Sequence, residues 1–263
     1  MSKTDNRRRY CSARQGKLSI IGIGPGNLNQ LTQKAKEAIK ESGVVAGYKT
    51  YIALLNGLLN NKEIISSGMT EEVKRAKHAI EEAKKGKKVC VISSGDSGVY
   101  GMAGLVLELL DEKDAGTLKI EVIPGIPAAV SVASLLGAPL MHDCASISLS
   151  DLLTKKELIK KRVELAAKGD FVIALYNPKS KKRISLLRDA WRILMKYRSP
   201  NTPVGIVRNA YRDNQKVQII KLKNMLSSKF IDMLATIIIG NSQTYVKSKH
   251  MITPRGYRIS QST

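Results

Sequence analysis

Val89-Cys90-Val91-Ile92-Ser93-Ser94-Gly95-Asp96-Ser97-Gly98-Val99-Tyr100-Gly101 is a short apolar run that ends in a turn of small residues carrying one acid. Consecutive apolar residues fit a strand buried on both faces, as in a parallel sheet. The run Met102 to Leu110 that follows has a helical pattern. In an open α/β sheet, ligands sit at the carboxyl ends of strands, where loops diverge and the next helix presents free backbone N–H groups. A ligand is therefore expected at the turn. Asp96 reads in two ways, as a cap of the next helix or as an acid facing that ligand. Ser94, Gly95, Ser97, Gly98 and Gly101 around it let backbone approach a ligand from several sides.

The same grammar extends outward in both directions. Leu18 to Ile23 is a second apolar strand and ends in Gly22-Ile23-Gly24-Pro25-Gly26-Asn27. Thr32 caps a helix to about Ser42, and Val44 to Ala46 is a short strand. A helix from about Thr70 to Lys85 opens on Glu71 and Glu72 and closes on Lys84 and Lys85, the order its dipole favours. Ile120 to Ile123 is a strand that ends in Pro124-Gly125-Ile126-Pro127, followed by a small-residue helix from Ala128 to Ser134. Alternating strand and helix with short turns predicts a doubly wound, mostly parallel α/β sheet.

From Gly137 to Asp151 this pattern breaks, which sets a domain boundary. The reading is a disordered basic leader over 1–17, an N-terminal α/β domain over 18–142 and a C-terminal α/β domain over 143–263. In the second half, helices are predicted from about Lys155 to Ala167 and from Ile184 to Tyr197. Strands are predicted over Phe171 to Tyr176, Pro203 to Val207 and Ala235 to Ile239, with a frayed tail after Tyr257.

The chain's 263 residues fit two domains of roughly 100 to 200 residues each, or a single large α/β domain. Lys and Arg number 44 against 22 Asp and Glu, a formal charge of +22 that favours polyanionic partners: nucleic acid or a multiply carboxylated small molecule. Cys11, Cys90 and Cys144 form no CxxC pair, so neither a disulfide framework, a zinc site nor an iron–sulfur cluster is encoded, and a reduced cytosolic setting follows. Met1 to Lys17 lacks the apolar core of a secretory signal, and no apolar run reaches the ~18 residues of a membrane helix.

The first glycine turn lacks the third glycine of a dinucleotide fingerprint, having Asn27 in its place, and Val44-Val45-Ala46-Gly47-Tyr48 offers no acid for a ribose. NAD is therefore not expected, and there is no P-loop for ATP or GTP. Tyr176-Asn177-Pro178 reads equally as a plain turn and as a ligand-lining loop. His142-Asp143-Cys144 is too short a cluster to define a metal site. The basic segment Lys155 to Arg183 reads as a solvated helix face or as a surface for an acidic ligand.

Taken together, these residues resemble the tetrapyrrole methylase family over Leu18 to about Tyr257. The resemblance rests on Gly22-Ile23-Gly24-Pro25-Gly26, Ser94 to Gly101, Ile123-Pro124-Gly125-Ile126-Pro127-Ala128 and Ile238-Ile239-Gly240-Asn241. Longer stretches narrow it to the family's C17-methylating, ring-contracting branch in cobalamin biosynthesis, which acts on precorrin-3B or its cobalt-bearing counterpart. These are Gly137 to Asp143, Ile147 to Leu153, Tyr176-Asn177-Pro178-Lys179-Ser180 and Met251 to Tyr257.

The resemblance implies a two-domain tetrapyrrole methylase-like fold, each domain a mostly parallel sheet flanked by helices, with S-adenosylmethionine in the cleft between them. It implies Gly95, Asp96, Val99, Tyr100, Pro127, Ala128, Tyr176, Asn177, Ala210 and Gly240 as the cofactor site, and no metal. The Pro25 loop is expected to face the substrate, and the basic Lys179, Lys182, Arg183 and Arg208 to pair with its carboxylates. His142, Asp143 and Asp151 are the candidates for proton transfer during ring contraction. A cytoplasmic homodimer is expected, with an acidic tetrapyrrole as its partner and neither membrane nor nucleic acid. The alternative is an rRNA ribose 2′-O-methyltransferase of the same superfamily, which the charge also suits. A basic nucleic-acid-binding module is disfavoured by the 5% aromatic content.

Overall fold

The computed structural model describes residues 15–68, 70–180 and 184–258. The predicted leader up to residue 14 and the tail from residue 259 lie outside the described residues. Gly16 and Lys17, read as part of that leader, are instead the start of the first strand. The chain divides into two compact units. Unit 1 comprises 1–23 and 31–125, and unit 2 comprises 24–30 and 126–263.

Unit 1 runs β1 (Gly16–Gly22), α1 (Gln33–Glu41), β2 (Val44–Tyr48), α2 (Lys49–Ile52), β3 (Glu63–Ser67), α3 (Glu72–Lys84), β4 (Lys88–Ser93), α4 (Ala103–Glu108), α5 (Asp114–Thr117) and β5 (Leu118–Ile123). Its sheet has the order β3-β2-β4-β1-β5 and every pairing is parallel. The uninterrupted apolar runs of β1 and β4 follow from this, because helices cover both sheet faces. Leu18, Ile20, Val89 and Val91 pack with Ala76, Ala79, Ile80 and Ala83 of α3. On α1, Ala35, Ala38 and Ile39 are buried, and Thr32 Oγ1 accepts from the Ala35 amide at 3.2 Å, the predicted cap. The register Gly22↔Ser93 and Ile21↔Ile123 brings the carboxyl ends of β1, β4 and β5 level. β3 is absent from the sequence reading because it is an edge strand whose apolar run is two residues long, with Ile65 alone buried.

Unit 2 runs α6 (Ala128–Leu136), β6 (Gly137–Ala138), β7 (Cys144–Ser148), α7 (Lys156–Lys168), β8 (Val172–Tyr176), α8 (Ser185–Tyr197), β9 (Pro203–Arg208), β10 (Lys216–Lys221), β11 (Ala235–Ile239), β12 (Tyr245–Lys247) and β13 (His250–Ile252). Its main sheet has the order β10-β9-β11-β8-β7. The expectation of a mostly parallel sheet is corrected here. Only β7–β8 is parallel, while β8–β11, β11–β9 and β9–β10 are antiparallel. A parallel neighbour needs a crossover of about a dozen residues or more, and the short link 209–215 between β9 and β10 allows only a hairpin. For β11, the buried run Ala-Thr-Ile-Ile-Ile records burial on both faces and carries no direction.

The sequence boundary at 142/143 differs from the division between Gly125 and Ile126. The helix α6 packs on the second sheet. A Cβ built on Gly205 of β9 would lie 2.2 Å from Leu136 Cδ1, so the missing side chain there makes room for the helix.

Candidate functional site

In unit 1 the turn after β4 is built by close backbone approach. A Cβ on Gly125 would lie 2.3 Å from the Gly95 carbonyl oxygen and 2.5 Å from that of Gly22, so the ends of three neighbouring strands meet where there are no side chains. Asp96 then ties them. Its Oδ2 accepts from the Gly125 amide at 2.9 Å and its Oδ1 from the Gly98 amide at 2.8 Å. The helix-cap reading of Asp96 is set aside, since α4 starts at Ala103 and its cap residue Met102 makes no side-chain capping bond. The Met102 amide donates instead to buried Ser93 Oγ at 2.9 Å, and Ser97, with no exposed surface, donates to the Ile123 carbonyl at 3.4 Å. Val99 and Tyr100 cross the outside of this frame. Tyr100 is 56% exposed with φ +54°, a left-handed conformation that only a determined turn imposes on a large side chain.

In unit 2 a second group forms at the carboxyl edge of β7, β8 and β9. Pro127 is the cap residue of α6 and Ala128 its first residue; Pro127 has no side-chain acceptor to offer the helix. Tyr176, at the end of β8, supplies one, its hydroxyl accepting from the Ala129 amide at 3.0 Å. Asn177 follows with φ +51°, its amide donating to Ser148 Oγ at 3.0 Å. Ala210 lies just beyond β9 on the same edge, in a turn whose neighbours Asn209 and Tyr211 both have positive φ.

Gly240 does not join this group. Because β11 runs antiparallel to β8 and β9, its carboxyl end lies beside Ile173 and Val204, and the Gly240 amide donates to the Pro203 carbonyl at 2.9 Å. Five strand residues at ~3.4 Å each separate the two edges. The same logic divides the proton-transfer candidates. His142 and Asp143 precede β7, where the Asp143 amide donates to His142 Nδ1 at 2.9 Å and the Asp143 carbonyl accepts from Val172. Asp151 follows β7 on the Tyr176 edge and pairs with Lys156 at 3.5 Å. The three are not brought together.

Among the basic candidates, Arg208 Nε donates to Asp232 Oδ2 at 2.7 Å, and Lys179 is half-buried beside Pro178. Lys182 and Arg183 lie outside the described residues. Pro25 belongs to unit 2, where its carbonyl accepts from Arg212 Nε.

Two arginines escaped the sequence reading. Arg75, 4% exposed, donates to Ser67 Oγ and the Gly68 carbonyl and reaches Met102 Sδ at 3.9 Å, joining the turn after β3 to the end of the turn after β4. Arg212 is the other. Neither has a motif of its own, and in sequence each is one basic residue among many. A cavity of about 790 Å³ elsewhere in unit 2, lined by Val217, Ile219, Tyr245, Val246 and Lys249 among others, contains none of the predicted residues. Among the described residues no group of three or more His, Cys, Asp and Glu is placed to hold a metal ion, and no helix is long and apolar enough to cross a membrane.

Residues 17–226 match the family of tetrapyrrole (corrin/porphyrin) methylases. The chain belongs to that family. Among tetrapyrrole methylases it is 58% identical over 248 residues to a cobalt-factor III methyltransferase of Priestia megaterium, covering 93% of this chain and 46% of that longer protein. It is 46% identical over 242 residues to a probable cobalt-factor III C(17)-methyltransferase of Salmonella typhimurium, covering 92% of this chain and 100% of the relative. The crystal structure of the methyltransferase CobJ superposes with a TM-score of 0.85 at 33% identity, covering 91% of this chain and 100% of that one. The α/β fold is thus that of a solved tetrapyrrole methylase.

Proposed function

We propose that this protein is an S-adenosylmethionine-dependent methyltransferase that methylates C17 of cobalt-factor III, with ring contraction, in cobalamin biosynthesis. The observation that carries the reading is the 46% identity to the Salmonella relative across its entire length. Both relatives named above carry cobalt-factor III in their names, which favours the cobalt-bearing substrate over metal-free precorrin-3B.

The residues present suit the cofactor. At the carboxyl edge of the unit 1 sheet, Gly95 takes the left-handed φ of +69°, Gly98 adds no side chain, and Asp96 fixes the loop that would meet a ligand there. Bound there, S-adenosylmethionine supplies the methyl group from its sulfonium. Transfer then requires alignment and exclusion of water more than acid–base chemistry. Gly95, Asp96, Val99 and Tyr100 in unit 1, and Pro127, Ala128, Tyr176, Asn177 and Ala210 in unit 2, are the proposed cofactor residues. Gly240 is left out of the set by its position on the opposite sheet edge. The Pro25 loop, Lys179 and Arg208, with Lys182 and Arg183, are proposed for the carboxylates of the tetrapyrrole. Asp151 is the proton-transfer candidate that shares an edge with Tyr176, while His142 and Asp143 lie at the other. A homodimer in the cytoplasm completes the reading.

Anaerobic incubation with S-adenosylmethionine and cobalt-factor III, followed by mass and visible spectrum, tests it. Gain of one methyl with a spectral change toward a contracted ring is expected. Methylation of precorrin-3B alone would reassign the pathway branch, and methylation of RNA alone would overturn the reading. Sedimentation reads the oligomeric state.

A further inference from the structure

The Gly24–Gln30 segment leaves a strand of unit 1 and returns to a helix of unit 1, yet it packs within unit 2. Arg212 of unit 2 meets it there, its Nε donating to the Pro25 carbonyl. The side chain also lies against Gly26, where a Cβ would come within 2.6 Å of Arg212 Nε, 3.0 Å of Cγ and 3.2 Å of Cδ. Gly26 has φ +130° and Gly24 φ +69°, so the segment takes a shape that glycine permits, and a side chain at position 26 would collide with Arg212.

The turn that presents Arg212 is itself held under strain. Asn209, Tyr211 and Asn214 all have positive φ, from 53° to 59°. Asparagine tolerates this conformation and tyrosine does so rarely. The turn keeps its shape through several bonds. Arg212 N donates to the Asn209 carbonyl at 3.0 Å, Tyr211 N to Gln215 Oε1 at 2.7 Å and Asn209 Nδ2 to the Asp213 carbonyl at 3.2 Å. The Tyr211 hydroxyl meets Ser134 Oγ of α6 at 2.7 Å. Strained backbone that its surroundings over-determine is a mark of a functional position.

We propose that Arg212 is a positioning residue that fixes the Pro25 loop in the form that receives the acidic tetrapyrrole. It acts through the loop, without a place in the cofactor set. This rests on the assignment of the loop to the substrate in the proposed function.

Three variants, Arg212→Ala, Arg212→Lys and Gly26→Ala, test the idea with and without turnover. By hydrogen exchange, the amides of 24–30 in Arg212→Ala are expected to exchange about tenfold faster or more, the effect of losing one charged hydrogen bond. KM for the tetrapyrrole should rise by a similar factor while kcat and the Kd for S-adenosylmethionine stay within about twofold. Arg212→Lys should recover part of the KM, because an ammonium can donate to the carbonyl but lacks the Nε that lies against Gly26. Gly26→Ala should reproduce the KM effect from the other side of the contact, and the double variant Arg212→Ala/Gly26→Ala should be no worse than the poorer single one. Unchanged exchange over 24–30 in Arg212→Ala would overturn the clamp, as would equal losses in cofactor and tetrapyrrole binding. If wild type methylates no tetrapyrrole but Arg212→Ala loosens 24–30, the clamp stands and the substrate assignment falls.

Discussion

At Asp96 both carboxylate oxygens are used, one on the Gly98 amide and one on the Gly125 amide. Asp96→Asn places an NH2 group against one of these N–H donors while changing the volume hardly at all. Hydrogen bonds to charged groups contribute about 1.5–3 kcal/mol, so cofactor affinity measured by calorimetry is expected to fall by one to two orders of magnitude. Burial raises both described thiols, and accessibility separates them. Burial pushes the Cys90 thiol up to about 11, and its Sγ lies 3.3 Å from the Ala38 carbonyl oxygen. Cys144 is exposed. In a Cys11→Ser background, neutral-pH alkylation read by mass should modify Cys144 alone, and labelling of Cys90 without unfolding would contradict the buried strand. Asp96 was legible in the sequence as an acid in a glycine turn. Its partner Gly125, 29 residues away, was not, because hydrogen-bond pairing across strand ends leaves no local pattern.

At the scale of elements, two glycines of unit 1 separate packing from propensity. Gly125 lies under two backbone oxygens that cannot withdraw, so Gly125→Ala should destabilise by about 1–3 kcal/mol or more in denaturant unfolding. Gly104 lies in α4 with nothing within 4 Å of a built Cβ. Gly104→Ala should therefore stabilise, by roughly 0.5–1 kcal/mol, because alanine loses less backbone entropy on entering a helix. The reverse ranking would mean that the turn after β4 is not a close-packed frame. Buried strands β1, β4, β8 and β11 and the amphipathic helices were readable as runs and periods. Edge strands β3 and β10 were not, since half of each faces solvent and the apolar pattern thins accordingly.

At the scale of the whole molecule, charge is spread unevenly between the units. Among the described residues the carboxylates held clearly below their ordinary range are Glu82, Asp114 and Glu121, all in unit 1. Lys85 and Lys87 hold buried Glu82 down to about 2, Lys84 holds Asp114 down, and Lys34 with Lys17 holds Glu121 down. A carboxylate whose pKa is lower folded than unfolded stabilises above its unfolded value and loses that contribution as pH falls through the folded one. The contribution is thus present above about 4.5 and fades toward 2. Acidification followed by hydrogen exchange should open unit 1 before unit 2, and unit 2 opening first would refute this. Individual exposed pairs matter little, and the effect belongs to the group.

By itself the sequence determined the α/β class, the parallel first sheet, the glycine turn at 94–101 and the likeness to tetrapyrrole methylases. Each is written in contiguous residues, as burial on both faces, as small residues where backbone must approach, or as a motif. The direction of β11 was decided only by the tertiary structure, and with it the separation of Gly240 from Tyr176. It also divided His142 and Asp143 from Asp151 and placed Arg212 on the Pro25 loop. A buried strand has the same side-chain pattern whichever way it runs, so the edge of the sheet on which its end emerges is fixed by its neighbours.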